Sequence, residues 1–188
     1  MFVSVQNVSA ANYSSVISTA DLKAHLRVTS SDEDSLIESY RTAACEFVEN
    51  YCNTRLNSQN VYFYAHSFAA LGEFPIAPVQ SVTAVEYKAT KDGAYLSWAA
   101  TNYYTELARN PALIKFIAVP SVDANAITPI RITCVCGHSS TPEALVQAVR
   151  LLVAHMFENR QAAEVGNIKE IPLGIYSLMN TYRTISFK

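Results

Sequence analysis

Apolar residues recur at helical spacing in two long stretches and alternate with polar residues between them. From Asp32 onward Leu36, Ile37, Tyr40, Ala43, Ala44, Phe47, Val48 and Tyr51 fall at steps of one, three and four, so an amphipathic helix is predicted over Asp32–Asn53. Asp34, Glu38, Glu46 and Glu49, with Arg41, lie on its polar face. Ser31 or Asp32 supplies the cap, and the Asp32-Glu33-Asp34 cluster complements the helix dipole. A shorter helix precedes it at Thr19–Val28, with hydroxyl residues at its start and Asp21 in its first turn. Thr141-Pro142-Glu143 gives a cap, a first-position proline and a first-turn acid. Leu145, Val146, Val149, Leu152, Val153, Met156 and Phe157 then trace one face of a helix expected to pack against the first long one. Phe47 and Leu152 sit centrally on the two stripes.

Between Asn60 and Gly137 the period changes to two. Segments rich in Val, Ile, Tyr, Phe and Thr, broken by Pro and Gly, predict antiparallel strands at Val61–His66, Val82–Ala89, Tyr95–Trp98, Tyr103–Leu107, Leu113–Ile117 and Ile130–Cys136. Lys91-Asp92-Gly93 is a turn in which Gly93 is free to take positive φ, and Phe74–Val79 is a proline-stiffened entry to a strand. The expected fold class is α+β, mainly a helical bundle of two long amphipathic helices plus short ones, with a small antiparallel sheet inserted. One domain over 1–188 is expected: N-terminal helices at 19–58, a β insertion at 59–137, a long helix at 141–163 and a C-terminal arm at 164–188. Gly166, Pro172 and Gly174 interrupt that arm, which still carries Ile171, Leu173, Ile175, Tyr176, Leu178, Met179, Tyr182 and Phe187. Such an apolar tail either packs on its own domain or docks on a neighbouring subunit or another protein.

Composition removes whole classes of activity. The chain has 188 residues, 50% hydrophobic and 16% charged, with net charge -2 and no block of like charges, so the basic footprint of a nucleic-acid-binding module is missing. No apolar run reaches the roughly 18 residues of a membrane span, and the N-terminus lacks a cationic start followed by an apolar stretch, so a soluble, non-exported chain is expected. Five glycines, the closest two eight residues apart, cannot spell a dinucleotide fingerprint, a P-loop or a serine-hydrolase elbow. Cys45, Cys52, Cys134 and Cys136 contain no C-x-x-C pair and read as small, buried, reduced thiols, the first two near the rim of their helix's stripe. His155 and Glu158 form the best helical acid/base couple, which a packed rim histidine explains as well. Neither catalytic residues, nor a cofactor, nor a metal site is expected.

Two helical blocks carry a resemblance. Leu22-Lys23-Ala24-His25-Leu26-Arg27, Asp32–Ile37 and Ala43–Tyr51 form one; Ala148–Arg160 (AVRLLVAHMFENR), Ile171–Met179 and Tyr182-Arg183 form the other; Pro75–Val82 with Val85-Glu86-Tyr87 stands between them. In order and spacing these resemble the head-to-tail connector (adaptor, head-completion) proteins of tailed bacteriophages and gene transfer agents. The resemblance implies a structural virion protein made in the host cytoplasm and placed at the head-tail interface. Its subunits would form a ring, typically dodecameric, under the portal protein, extending the DNA channel and receiving a tail or stopper protein, with no membrane partner. Another neck or tail-completion protein is the alternative, and an enzyme with dispersed catalytic residues such as His155 and Glu158 a distant one.

A ring built head to tail needs two different complementary surfaces on each subunit. Ile171, Leu173, Tyr176, Leu178, Met179, Tyr182 and Phe187 are the candidate interface, and the strand aromatics Tyr62, Phe63, Tyr64, Trp98, Tyr103 and Tyr104 belong either to a second interface or to the core. Glu38, Glu46 and Glu49 are the candidate channel-facing residues, since an acidic flank lets duplex DNA, present only in passing, slide without sticking.

Overall fold

The computed structural model describes residues 2–8, 11–68, 72–160 and 173–184. Contacts divide the chain into a helical unit, residues 12–57 and 139–183, and a sheet unit, residues 1–11, 58–138 and 184–188. In the helical unit, α1 spans Thr19–Leu26, where the Ser18 hydroxyl accepts the Asp21 N–H at 3.1 Å, and it ends on Arg27 in the left-handed region. Helix α2 spans Asp34–Cys52. The expected cap by Ser31 or Asp32 does not form, because Ser30 and Asp32 hydrogen-bond each other and Glu33 occupies the cap position without a side-chain bond. Helix α3, Glu143–Glu158, starts after Pro142, and the Thr141 hydroxyl donates to Leu56 O at 2.7 Å instead of capping. Helix α4, Leu173–Asn180, packs on α2 and α3. Leu22, Ile37, Val48, Leu145, Leu152 and Met179 are completely buried in the shared core, each contributing about 1.5–3 kcal/mol through loss of apolar surface to water.

The sheet unit is larger than the sequence pattern predicts, and this corrects the expected fold class. Of the described residues, helix accounts for 35% and strand for 25%, and the strands form a five-stranded antiparallel sheet plus a two-stranded one rather than a small insertion in a mainly helical bundle of two long helices. The strands are β1 Phe2–Asn7, β2 Gln59–Ala65, β3 Val79–Tyr87, β4 Leu96–Trp98, β5 Tyr103–Glu106, β6 Leu113–Phe116 and β7 Ile130–Cys136. The large sheet runs β1-β2-β7-β3-β4, and β5 pairs with β6. Two physical reasons enlarge it. The alternating FVSVQN segment adds an edge strand on β2, in register Val5↔Phe63, and β2 and β7 pair along seven residues each. Inward positions alternate through Val61, Phe63, Ala65, Ile130, Ile132, Cys134 and Cys136, so the sheet has its own hydrophobic core. Phe74 meets Phe63 edge-on at 5.2 Å and Phe116 meets Phe68 at 4.8 Å.

Among the described glycines, Gly137, at 108° where β7 ends, takes positive φ rather than Gly93. Gly93 is close-packed instead: a Cβ there would stand 2.5 Å from the Thr90 hydroxyl, which would have to move.

Candidate assembly surfaces

Two of the three candidate channel-facing carboxylates reach solvent. Glu38 and Glu46 are exposed on α2, and Glu38 accepts a hydrogen bond from the Thr19 hydroxyl at 3.1 Å. Glu49 does not share that flank. It is 4% exposed, lying four residues after Cys45 and three before Cys52 on the buried stripe. Its carboxylate accepts the Leu56 N–H at 2.9 Å and the Tyr13 hydroxyl at 3.2 Å, with Arg55 Nε at 3.9 Å. Burial first, and the Glu49 charge second, hold the Tyr13 hydroxyl far above its ordinary pKa, so Tyr13 stays a donor. A charged residue reads as exposed in a periodicity argument; the signal that could have corrected this is Arg55 waiting six residues on.

The candidate C-terminal interface divides. Leu173 is 83% exposed, Tyr176, Leu178 and Tyr182 are half-buried, and Met179 is fully buried in the helical core, which removes it from a surface role. Ile171 and Phe187 lie outside the described residues. Over Leu173–Asn180 the expected arm is a helix docked in its own unit, because Ile175 and Met179 recur at i, i+4 and fill the space beside α2 and α3. Phe47, Tyr51 and Tyr176 form an aromatic cluster with ring separations of 5.3–6.5 Å, and the Tyr51 hydroxyl donates to Asn180 Oδ1 at 2.8 Å. Phe47 is therefore half-buried at the edge of its stripe rather than central.

On the strands, Phe63 is core, Trp98 and Tyr103 are half-buried, and Tyr104 is 69% exposed. Tyr62 and Tyr64 stand half-buried on the opposite sheet face from Phe63. There Arg131 makes two hydrogen bonds to Glu86, at 2.8 and 3.0 Å, and its guanidinium lies 4.9 Å from the Tyr62 ring and 4.3 Å from Tyr95. Near β6 an open apolar groove of about 510 Å³ is lined by Phe68, Leu113, Phe116 and Val119.

Several of the described cations have a carboxylate neighbour: Lys23 pairs with Asp34 at 2.7 Å, Arg150 with Glu143 at 2.6 Å, Arg109 with Glu73 at 3.2 Å and Arg160 with Glu33. The thiols are poor nucleophiles. Burial pushes Cys45 up to about 12 and Cys52 up to about 11, and raises Cys134 further; all four cysteines are buried, the first two well inside the stripe rather than at its rim. His155 hydrogen-bonds with Asn159, while Glu158 points to solvent, so the two do not form a couple. Among the described residues no group of three His, Cys, Asp or Glu could hold a metal, and no helix is long and apolar enough to cross a membrane.

Residues 17–90 match the model of the phage gp6-like head-tail connector protein family. No curated protein matches the chain. Among solved structures, a chain from the neck of an empty gene transfer agent particle computed with C6 symmetry superposes with TM-score 0.80 at 24% identity, covering 99% of this chain and 98% of that one. A chain from the neck of a native particle computed with C12 symmetry gives TM-score 0.77 at 24% identity over the same shares. A chain from the virion of a native particle gives 0.80 at 23% identity, covering 98% and 97%. Residues 17–90 are thus similar to the phage gp6-like head-tail connector proteins, and over 98–99% of its length the chain aligns with a fold found in gene transfer agent particles.

Proposed function

We propose that this chain is a structural virion protein, a head-to-tail connector whose copies form a ring at the junction of head and tail. The observation that carries this reading is that the connector-family match over 17–90 falls within a fold shared along 99% of the chain with a particle-neck protein. The family match favours a connector over another neck or tail-completion protein. Residues 1–188 act as one subunit, with both compact units taking part. One face of the ring receives the portal protein and the other a tail or stopper protein, while duplex DNA passes through the middle. No catalytic step is assigned to any residue.

Glu38 and Glu46 supply the acidic, DNA-repelling flank, and Leu173, Tyr176, Leu178 and Tyr182 supply part of an intersubunit or portal contact. The net charge of -2 and the pairing of Lys23, Arg150 and Arg160 with carboxylates support passive passage, since tight binding to phosphate needs clustered, available Lys and Arg. The test is native mass and electron microscopy of the purified chain with and without its portal protein. Rings or portal-bound rings are expected; a monomer that ignores the portal overturns the reading. Glu38→Lys with Glu46→Lys is expected to create salt-sensitive affinity for duplex DNA that the native chain lacks.

A further inference from the structure

The chain passes between its two units four times, at 11/12, 57/58, 138/139 and 183/184. Within the helical unit, the residues next to the first three passages are joined by one continuous chain of hydrogen bonds. Tyr13, just after the first, donates its hydroxyl to Glu49 Oε2; Leu56, just before the second, donates its N–H to Glu49 Oε1 at 2.9 Å; Thr141, just after the third, donates its hydroxyl to the Leu56 carbonyl at 2.7 Å. Asn57 adds a parallel link, donating to Asn12 O at 2.8 Å and to the Ser15 hydroxyl at 3.0 Å. At the fourth passage, the Arg183 guanidinium stands 5.0 Å from the ring of Tyr51, two residues beyond Glu49 on the last turn of α2.

We infer that Glu49 is a latch that orders the entry and exit segments of the helical unit together, so that loosening any one of them loosens the others. A buried carboxylate needs donors around it, and those at Glu49 include the Tyr13 hydroxyl and the Leu56 N–H, from segments 43 residues apart in sequence, with Arg55 Nε at 3.9 Å. Loss of either removes one of the hydrogen bonds that hold the buried carboxylate in place. That shared requirement couples them. The latch is a property of the single chain and stands independently of what the chain assembles with.

Tyr13→Phe and Thr141→Val each delete one hydroxyl and keep the apolar body of the side chain, so both are suited to a double-mutant cycle on the full chain. Tyr13→Phe is expected to speed amide exchange at Leu56 by about tenfold, although it removes no bond to Leu56. Thr141→Val is expected to speed exchange at Val16 and Ile17, whose N–H groups bond to Tyr13 O. The double variant should lose less melting temperature than the two singles summed. Exchange that rises only beside each substitution, with additive melting losses, overturns the inference. Glu49→Gln gives a second route, keeping an acceptor for Leu56 N–H but removing the charge; faster exchange at both Leu56 and Ile17 is expected, and no change at either overturns it.

Discussion

Leu152 and Phe47 separate full burial from partial burial. Leu152 is completely enclosed in the helical core, so Leu152→Ala should cost about 2–5 kcal/mol in urea denaturation. Phe47 keeps one side in solvent against Tyr51 and Tyr176, so Phe47→Ala should cost less, about 2 kcal/mol. Equal losses at both sites would place Phe47 in the core after all. The buried thiols set an alkaline limit. Burial raises Cys45 to about 12 and Cys52 to about 11 from the ordinary thiol value of 9.0, so above pH 9 the unfolded chain releases these protons while the folded chain retains them. Their contribution to stability is constant below about pH 9 and declines as pH rises from there toward 12, which urea midpoints measured at pH 8 and pH 10 should show as a fall.

Helix α4 is the element in which burial and assembly can be told apart. Met179→Ala should lower the melting temperature of the chain, because it leaves a cavity between α4 and its helical neighbours. Leu173→Asp, on the exposed first turn, should leave melting unchanged. If it also abolishes ring formation, Leu173 is an intersubunit contact. Elements with a long, clean period were readable in the sequence: α2, α3, and the alternating strands β2 and β7. The registers and caps were less so. The Thr141 hydroxyl can accept an N–H of its own helix as a cap or donate to Leu56 O, and only tertiary packing decides between the two. Strand β1 was missed although FVSVQN alternates, because a six-residue edge strand gains its stability from a partner more than 50 residues away. The burial of Glu49 depends on the Tyr13 hydroxyl and the Leu56 N–H, which helical periodicity does not reveal, and Arg55 is the one nearby residue that hints at it. The family resemblance, resting on the order of several blocks, survived these local errors.

The whole molecule interleaves its two units along the sequence: the sheet unit takes the first residues, the middle and residue 184, and the helical unit takes the two segments between. Edge strand β1 pairs with β2, whose residues follow some fifty positions later, and α2 needs α3 and α4 to cover its stripe. Contacts this distant in sequence slow folding, since loop closure must precede the contacts that reward it. The consequence appears on the ribosome. A nascent chain that has emerged only through residue 138 has the strands of its large sheet but an uncovered α2, and one that has emerged through residue 160 still lacks Ile175 and Met179. Chains stalled at these lengths should be cleaved readily by protease at the α2 segment, and resistance there should arise only once α4 has cleared the exit tunnel. The helical half of such a chain gains its protection only after α4 has emerged, so a product truncated before residue 173 is expected to be degraded faster than the full chain.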